Sequence, residues 1–175
     1  MNARKRSLFG IGALALAALI VQPLFAAEIQ STQKEFVLEK EPKKSKGVIK
    51  VRKEAKNGEE VVVIGRIGGR TNPWVKGAAA FTIVDESVKS CDQIPGDTCP
   101  TPWDYCCEAG LPQKTVFVSF VDEAGKIVKK DARKLLKVRE LRTVVIKGKV
   151  KRDKSDNVSI QATSLYVRPD TRAAQ

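Results

Sequence analysis

The sequence predicts a mainly-β domain: a five-stranded barrel with a short N-terminal helix and a long cysteine-rich insert between strands two and three. Three observations carry that expectation. Five β-rich stretches, each bounded by turn chemistry, follow one another between residues 59 and 167. One helical stretch precedes the first of them, and a shorter one separates the third from the fourth. All four cysteines fall in one segment, Cys91 to Cys107, CDQIPGDTCPTPWDYCC, with strand-like sequence on either side.

The chain begins with a segment that is not read as part of the domain. Arg4, Lys5 and Arg6 are followed by an uncharged apolar run from Leu8 to Val21, then Pro23 and the small residues Ala26 and Ala27. Basic start, apolar middle and small-residue end are the three parts of a secretory signal. The run of about 14 residues is short of the roughly 20 that a membrane-spanning helix needs. Residues 1–26 are therefore expected to be a cleaved signal peptide, making the protein exported (periplasmic or secreted) with no stable membrane span afterwards. Cleavage removes three basic residues and no acidic one from a balance of 32 Lys+Arg against 20 Asp+Glu. The remaining positive excess favours anionic partners. There is no histidine. That excludes imidazole bases, Ser-His-Asp and Cys-His catalysis, and histidine-ligated metals.

Residues 27–46 are rich in Lys and Glu and read as a flexible N-terminal arm, with Phe36, Val37 and Leu38 as its one apolar cluster. The domain is expected over residues 47–168. Gly47 to Asn57 carries Val48, Val51 and Ala55 at helical spacing and stops at Asn57-Gly58. Glu59 to Gly69, EEVVVIGRIGG, is the first strand, with Gly65 marking a bend or bulge. Arg70 to Gly77 is turn chemistry around Trp74, which looks exposed. Ala78 to Asp85 is the second strand, and the insert fills residues 86–113. Lys114 to Val121 is the third strand. Asp131 to Val138 is a short helical turn. Arg142 to Arg152 and Asn157 to Val167 are the fourth and fifth strands, alternating at Val144, Ile146, Val150 and at Val158, Ile160, Ala162. Residues 169–175 read as a frayed tail.

Five strands with a helical element between the third and fourth resemble an OB-fold barrel. EVVVIGRIGG, AAFTIVD, KTVFVSFVD and LRTVVIKGKVKRDKSDNVSIQATSLYV are similar to OB-fold domains of the nucleic-acid-binding type. The helix before the first strand also resembles small exported OB-fold proteins of bacteria. The resemblance spans Gly47 to Val167. It departs from the family in the length of the insert. It implies a ligand face on strands two and three and the loops around it, where the insert would build the site or cover it.

An even cysteine count in an exported chain favours disulfides. Cys91, Cys99, Cys106 and Cys107 are expected to form two of them, with a bond between adjacent Cys106 and Cys107 the least favourable pairing. The competing reading is a metal held by four thiolates. Against it stand the missing C-x2-C spacing and the adjacency of Cys106 and Cys107. A redox pair would need C-x-x-C at a helix start, which is absent. No metal and no cofactor are expected.

Trp74 is flanked by Arg70 and Lys76, while Trp103 and Tyr105 lie in the insert. Aromatic faces among cations are what a polyanion or a sugar ring needs. Arg66, Arg70, Trp74, Lys76, Trp103 and Tyr105 are the candidate ligand-binding residues. The competing account is that Trp74 and Trp103 pack the insert onto the barrel. The carboxylates Asp85, Glu86, Asp92, Asp97 and Asp104 sit where turns use them. Basic stretches run through Lys43–Lys53, Lys126–Lys137 and Lys147–Arg152. The expected function is a non-enzymatic binding module for an anionic polymer or an oligosaccharide. The alternatives are an envelope or stress-related domain with a protein partner, or a cysteine-ligated metal or redox site.

Overall fold

The computed structural model describes residues 35–170. The expected signal segment, residues 27–34 of the arm and residues 171–175 of the tail lie outside the described residues.

Among the described residues, six strands and two α-helices carry the fold, with two 3-10 turns besides. Their order is β1 (Lys46–Gly47), α1 (Val48–Glu54), β2 (Glu60–Ile67), β3 (Ala80–Val84), β4 (Thr115–Phe120), α2 (Ala132–Leu136), β5 (Thr143–Arg152) and β6 (Val158–Val167). The sheet runs β1-β2-β3-β4-β6-β5, and β2 also pairs with β5. That second pairing closes a five-stranded barrel, in which β3 meets β2 only through Ile83 and Val84. The β4–β6 pair is parallel, while β2–β3, β3–β4, β5–β6 and β2–β5 are antiparallel. This is the OB fold. The five strands expected from the sequence are the five barrel strands, with ends displaced by no more than two residues.

The interior follows from strand alternation. Val116, Val118 and Phe120 of β4 face inward with Phe81 and Ile83 of β3 and Val158, Ile160 and Ala162 of β6. Val48, Val51 and Ala55 from α1 join the same core. Their helix meets the end of the barrel where β3 stops, because its Arg52 guanidinium donates to the Thr115 carbonyl at 3.0 Å. Ala132, Leu135 and Leu136 of α2 enter from the end where β4 stops and β5 starts. Asp131 caps α2 by accepting from the Arg133 and Lys134 amides.

Two expectations change. Gly65 is not a bulge: it pairs in register with Val144. A Cβ there would stand 2.7 Å from the Val84 carbonyl, so the glycine admits the end of β3. The irregularity lies instead between Lys147 and Gly148, opposite Thr163 of β6. The arm is also integrated from Phe36 onward. Phe36 packs edge-on against Phe120 at 5.6 Å, and the Leu38 amide donates to the Leu165 carbonyl at 2.7 Å.

Candidate functional site

The insert leaves the barrel at Asp85 and returns at Lys114. Between those points its only regular structure is two 3-10 turns, Cys91–Gln93 and Leu111–Lys114. Its own apolar packing is small: Val88 and Tyr105 against Val84, with Leu111 and Leu141 beside them. The backbone nevertheless docks on the barrel. The Gly69 amide donates to the Trp103 carbonyl at 2.8 Å, and within the insert the Cys91 amide donates to the Pro102 carbonyl at 3.1 Å. A side chain at Gly68 would collide with that same Trp103 carbonyl and with the Tyr105 ring.

The candidate binding residues do not form one surface. Trp74 is buried, and its ring goes into the main core, edge-on to Phe81 at 5.5 Å. Its indole donates to Glu140 at 2.5 Å. The expectation of an exposed stacking platform at Trp74 is corrected: Asn72 accepts from the Trp74 amide, and residues 73–75 pair with the edge of β3. That pairing turns the ring inward. Tyr105 is also buried, with φ 57°, and among the described residues its hydroxyl has no partner within normal hydrogen-bond distance. Burial pushes its pKa up, with the nearby Arg66 charge pulling the other way. It cannot stack on a ligand from that position. Trp103 is half-buried and donates to the Thr71 carbonyl at 3.0 Å. Arg66 is spent on the insert, donating to Gln93 at 2.6 Å and Ser90 at 3.3 Å. Arg70 and Lys76 are exposed. Arg66, Trp103 and Tyr105 thus form the seam between barrel and insert, while Trp74 belongs to the core.

The four cysteines converge. The structure does not show the two expected disulfides: all four cysteines stand free, with their nearest sulfurs well beyond the ~2.05 Å of an S–S bond. Cys106 Sγ lies 3.8 Å from Cys91 Sγ, 3.9 Å from Cys99 Sγ and 3.8 Å from Cys107 Sγ. Adjacent Cys106 and Cys107 therefore turn toward the same place. Cys91 is buried, Cys99 half-buried, and Cys106 and Cys107 are exposed. Asp97 accepts the Cys99 amide at 2.7 Å, and Asp104 accepts the Cys106 amide at 2.9 Å. The Cys91, Cys107 and Cys99 thiols push the Cys106 thiol well above its usual pKa, and burial raises that of Cys91.

A second surface escaped the sequence reading. Residues paired directly across strands share a face of the sheet. Lys151 of β5 pairs with Ser159 of β6, Ser159 with Phe117 of β4, and Phe117 with Thr82 of β3. One step along, Lys149 pairs with Gln161, Gln161 with Ser119, and Ser119 with Ala80. These rows face away from the interior, since the alternating row Val150, Ile160, Val118 and Phe81 is interior, but Thr82, Ala80 and Ser119 are covered and only the β5–β6 side with Phe117 reaches the surface. Phe117 is half-buried there, and Lys147, Lys149 and Lys151 are exposed. A groove of about 410 Å³ runs along Glu60–Val62, Lys147–Lys149 and Thr163–Ser164. Alternation put Lys147 and Lys149 outside, but only the cross-barrel register sets their neighbour β5 residue Lys151 in line with Phe117.

Arg152 closes the C-terminus of α1, donating to the Arg52 and Ala55 carbonyls. Arg168 pairs with Glu41 and Glu86, and Arg142 donates to the Arg168 carbonyl. Of the three lysines, Lys149 meets Glu60 at 3.7 Å, and Lys147 and Lys151 have no ion-pair partner among the described residues.

No family model matches this chain. No curated protein matches it either. Among solved structures, it is similar to a chain described as an aspartyl-tRNA synthetase from Leishmania major Friedlin, at 9% identity and a TM-score of 0.46, over 83% of this chain and 26% of that one. It is also similar to an aspartyl-tRNA synthetase from Entamoeba histolytica, at 12% identity and a TM-score of 0.44, over 92% of this chain and 28% of the other. The chain thus spans roughly a quarter of the length of each. The OB fold stated above rests on strand order and register. No helix among the described residues is long and apolar enough to cross a membrane.

Proposed function

We propose that this chain is a non-enzymatic OB-fold binding module, exported by the segment at residues 1–26, that takes an anionic polymer along the outer face of β4, β6 and β5. The observation that carries the reading is the cross-strand register. It lines Lys147, Lys149 and Lys151 along one side of a strip made of Ser159, Gln161, Thr163 and the half-buried Phe117. Lysine supplies charge for phosphate or sulfate, the hydroxyls and amide supply hydrogen bonds, and Phe117 supplies an apolar face. Trp74 and Tyr105 take no part in this reading, and Arg66 serves the insert.

The test is a titration against single-stranded DNA, heparin and a neutral glycan at two salt concentrations. Each neutralised phosphate contributes a log–log salt slope of about −0.7 on a single strand. Three lysine contacts therefore give a slope of about −2 and lose more than about tenfold in affinity between roughly 50 and 200 mM salt. Replacing Lys147, Lys149 and Lys151 together by alanine should remove most of that slope while leaving the thermal transition in place. Phe117→Ala should remove a salt-insensitive part, about 1–3 kcal/mol if a base stacks there. Polyanion binding with an unchanged slope in the triple variant would move the site elsewhere. Binding to none of the three ligands would favour a protein partner.

A further inference from the structure

We propose that Cys91, Cys99, Cys106 and Cys107 bind a single tetrahedral metal ion, of which zinc is the natural probe, and that this ion organises the insert. Four thiolates about 2.3 Å from a common ion are separated, by the geometry of a tetrahedron, by about 3.8 Å. Cys106 Sγ stands 3.8, 3.9 and 3.8 Å from its three partners. These are the three edges that meet at one vertex of such a site.

The same distances disfavour the alternatives. Two disulfides would give each sulfur one unique near partner, whereas Cys106 has three at nearly equal separation. The ligands of a four-iron cluster bind four different irons, so they cannot all crowd around one sulfur at contact distance. The Cys91, Cys99 and Cys106 sulfurs and an Asp104 oxygen lie within 4.8 Å of one another, as do the Cys91 and Cys107 sulfurs with an Asp97 oxygen. Soft thiolate sets of this kind select zinc, copper(I) or iron over magnesium and calcium.

The surroundings aim the ligands. Asp97 and Asp104 hold the Cys99 and Cys106 amides. The left-handed backbone of Tyr105, φ 57°, reverses the chain just before the adjacent pair. Ser90 and Gln93 fix the turn that carries Cys91 through a reciprocal cap. Such outer partners commonly orient metal ligands. The insert also needs a cross-link, because between its two 3-10 turns it has no regular structure and few apolar contacts of its own. Metal uptake converts thiols into thiolates and releases up to four protons, one from each cysteine.

The experiment uses the full chain, expressed with its N-terminal segment intact and purified without chelator. The expected result is one zinc per chain, with all four thiols shielded from alkylation until a chelator is added. After metal removal under reductant, cobalt(II) should restore the shielding and give the intense visible bands of tetrahedral cobalt thiolate. Cys106→Ser removes the shared vertex and should weaken zinc binding by at least about 100-fold, the upper effect of losing an outer partner alone. If that variant fails to fold, Cys99→Ser, at a half-exposed position, serves instead. A chain that leaves the cell with two disulfides and no metal overturns the proposal, whatever the reduced protein binds later. Zinc bound without shielding the thiols overturns it as well.

Discussion

Replacing Trp74 by alanine should destabilise the protein by about 3–5 kcal/mol, the range for emptying a buried aromatic site. A domain of this size has only about 5–15 kcal/mol to lose. Trp74 is 9% exposed, and its ring lies at 61° to Phe81. The Arg133 guanidinium sits 5.6 Å above its centroid. Alanine would leave a void between β3 and α2 and strip Glu140 of its indole donor. Trp74→Phe keeps much of the apolar burial and loses the hydrogen bond, so it should cost about 1–2 kcal/mol. Trp103, half-buried and tied to the Thr71 carbonyl, should cost less than about 2 kcal/mol as alanine. Urea denaturation followed by circular dichroism gives all three values. A Trp74→Ala protein as stable as the parent would put the ring at the surface and restore the stacking role first expected of it.

The barrel was legible in the sequence because its signals are local. β5 alternates between valines and lysines, Asp131 announces α2, and Asn57-Gly58 ends the helical run. The same local signals misled at Trp74. RTNPWVKG reads as an exposed turn, and it is one in backbone terms. The ring is nevertheless buried, because residues 73–75 pair with the edge of β3, and that edge comes from a separate stretch of sequence. The arginines were illegible for a similar reason. Arg152 looks like the end of a basic strand, yet it caps a helix nearly a hundred residues earlier in the chain. The cysteine spacing lacks any knuckle pattern, and convergence of the sulfurs depends on the reversal at Tyr105, a residue type that rarely takes positive φ. The lysine face needed the register of three strand pairs, including the parallel β4–β6 pair that joins two distant segments. What sequence periodicity reports is which residues point outward, and what the barrel adds is which outward residues are neighbours.

Asp85 ties the insert, the barrel and α1 together, and its loss should be the second large effect. Asp85 is 7% exposed and stands at the point where β3 gives way to the insert. Its Oδ2 accepts the Ile49 amide at 2.9 Å, while Oδ1 accepts the Ser87 amide at 3.0 Å and the Ser87 hydroxyl at 2.7 Å. Gly47, at the N-cap of α1, offers no side-chain cap of its own, so Asp85 supplies one from 36 residues away. A Cβ at position 47 would lie 2.7 Å from Asp85 Oδ2, which accounts for glycine there. Burial alone would raise the pKa of Asp85. Hydrogen bonds from the Ser87 hydroxyl and from the Ile49, Ser87 and Val48 amides outweigh burial and hold it below the usual aspartate value. A carboxyl with a depressed folded pKa stabilises the fold fully above its unfolded value of about 3.9. That contribution fades as the pH falls below this value and through the lower folded pKa. Asp85→Ala should therefore cost about 2–3 kcal/mol at neutral pH, combining a lost helix cap with lost charge-assisted hydrogen bonds. The difference from the parent should shrink as the pH drops below about 4. Glu41, Asp131 and Asp153 also have lowered pKa values, so both proteins should share an acid limb, and only the gap between them reports on Asp85. Denaturation of parent and variant at pH 7 and pH 3 measures that gap, and a cost that is equal at both would mean that Asp85 acts by packing rather than as a charged cap.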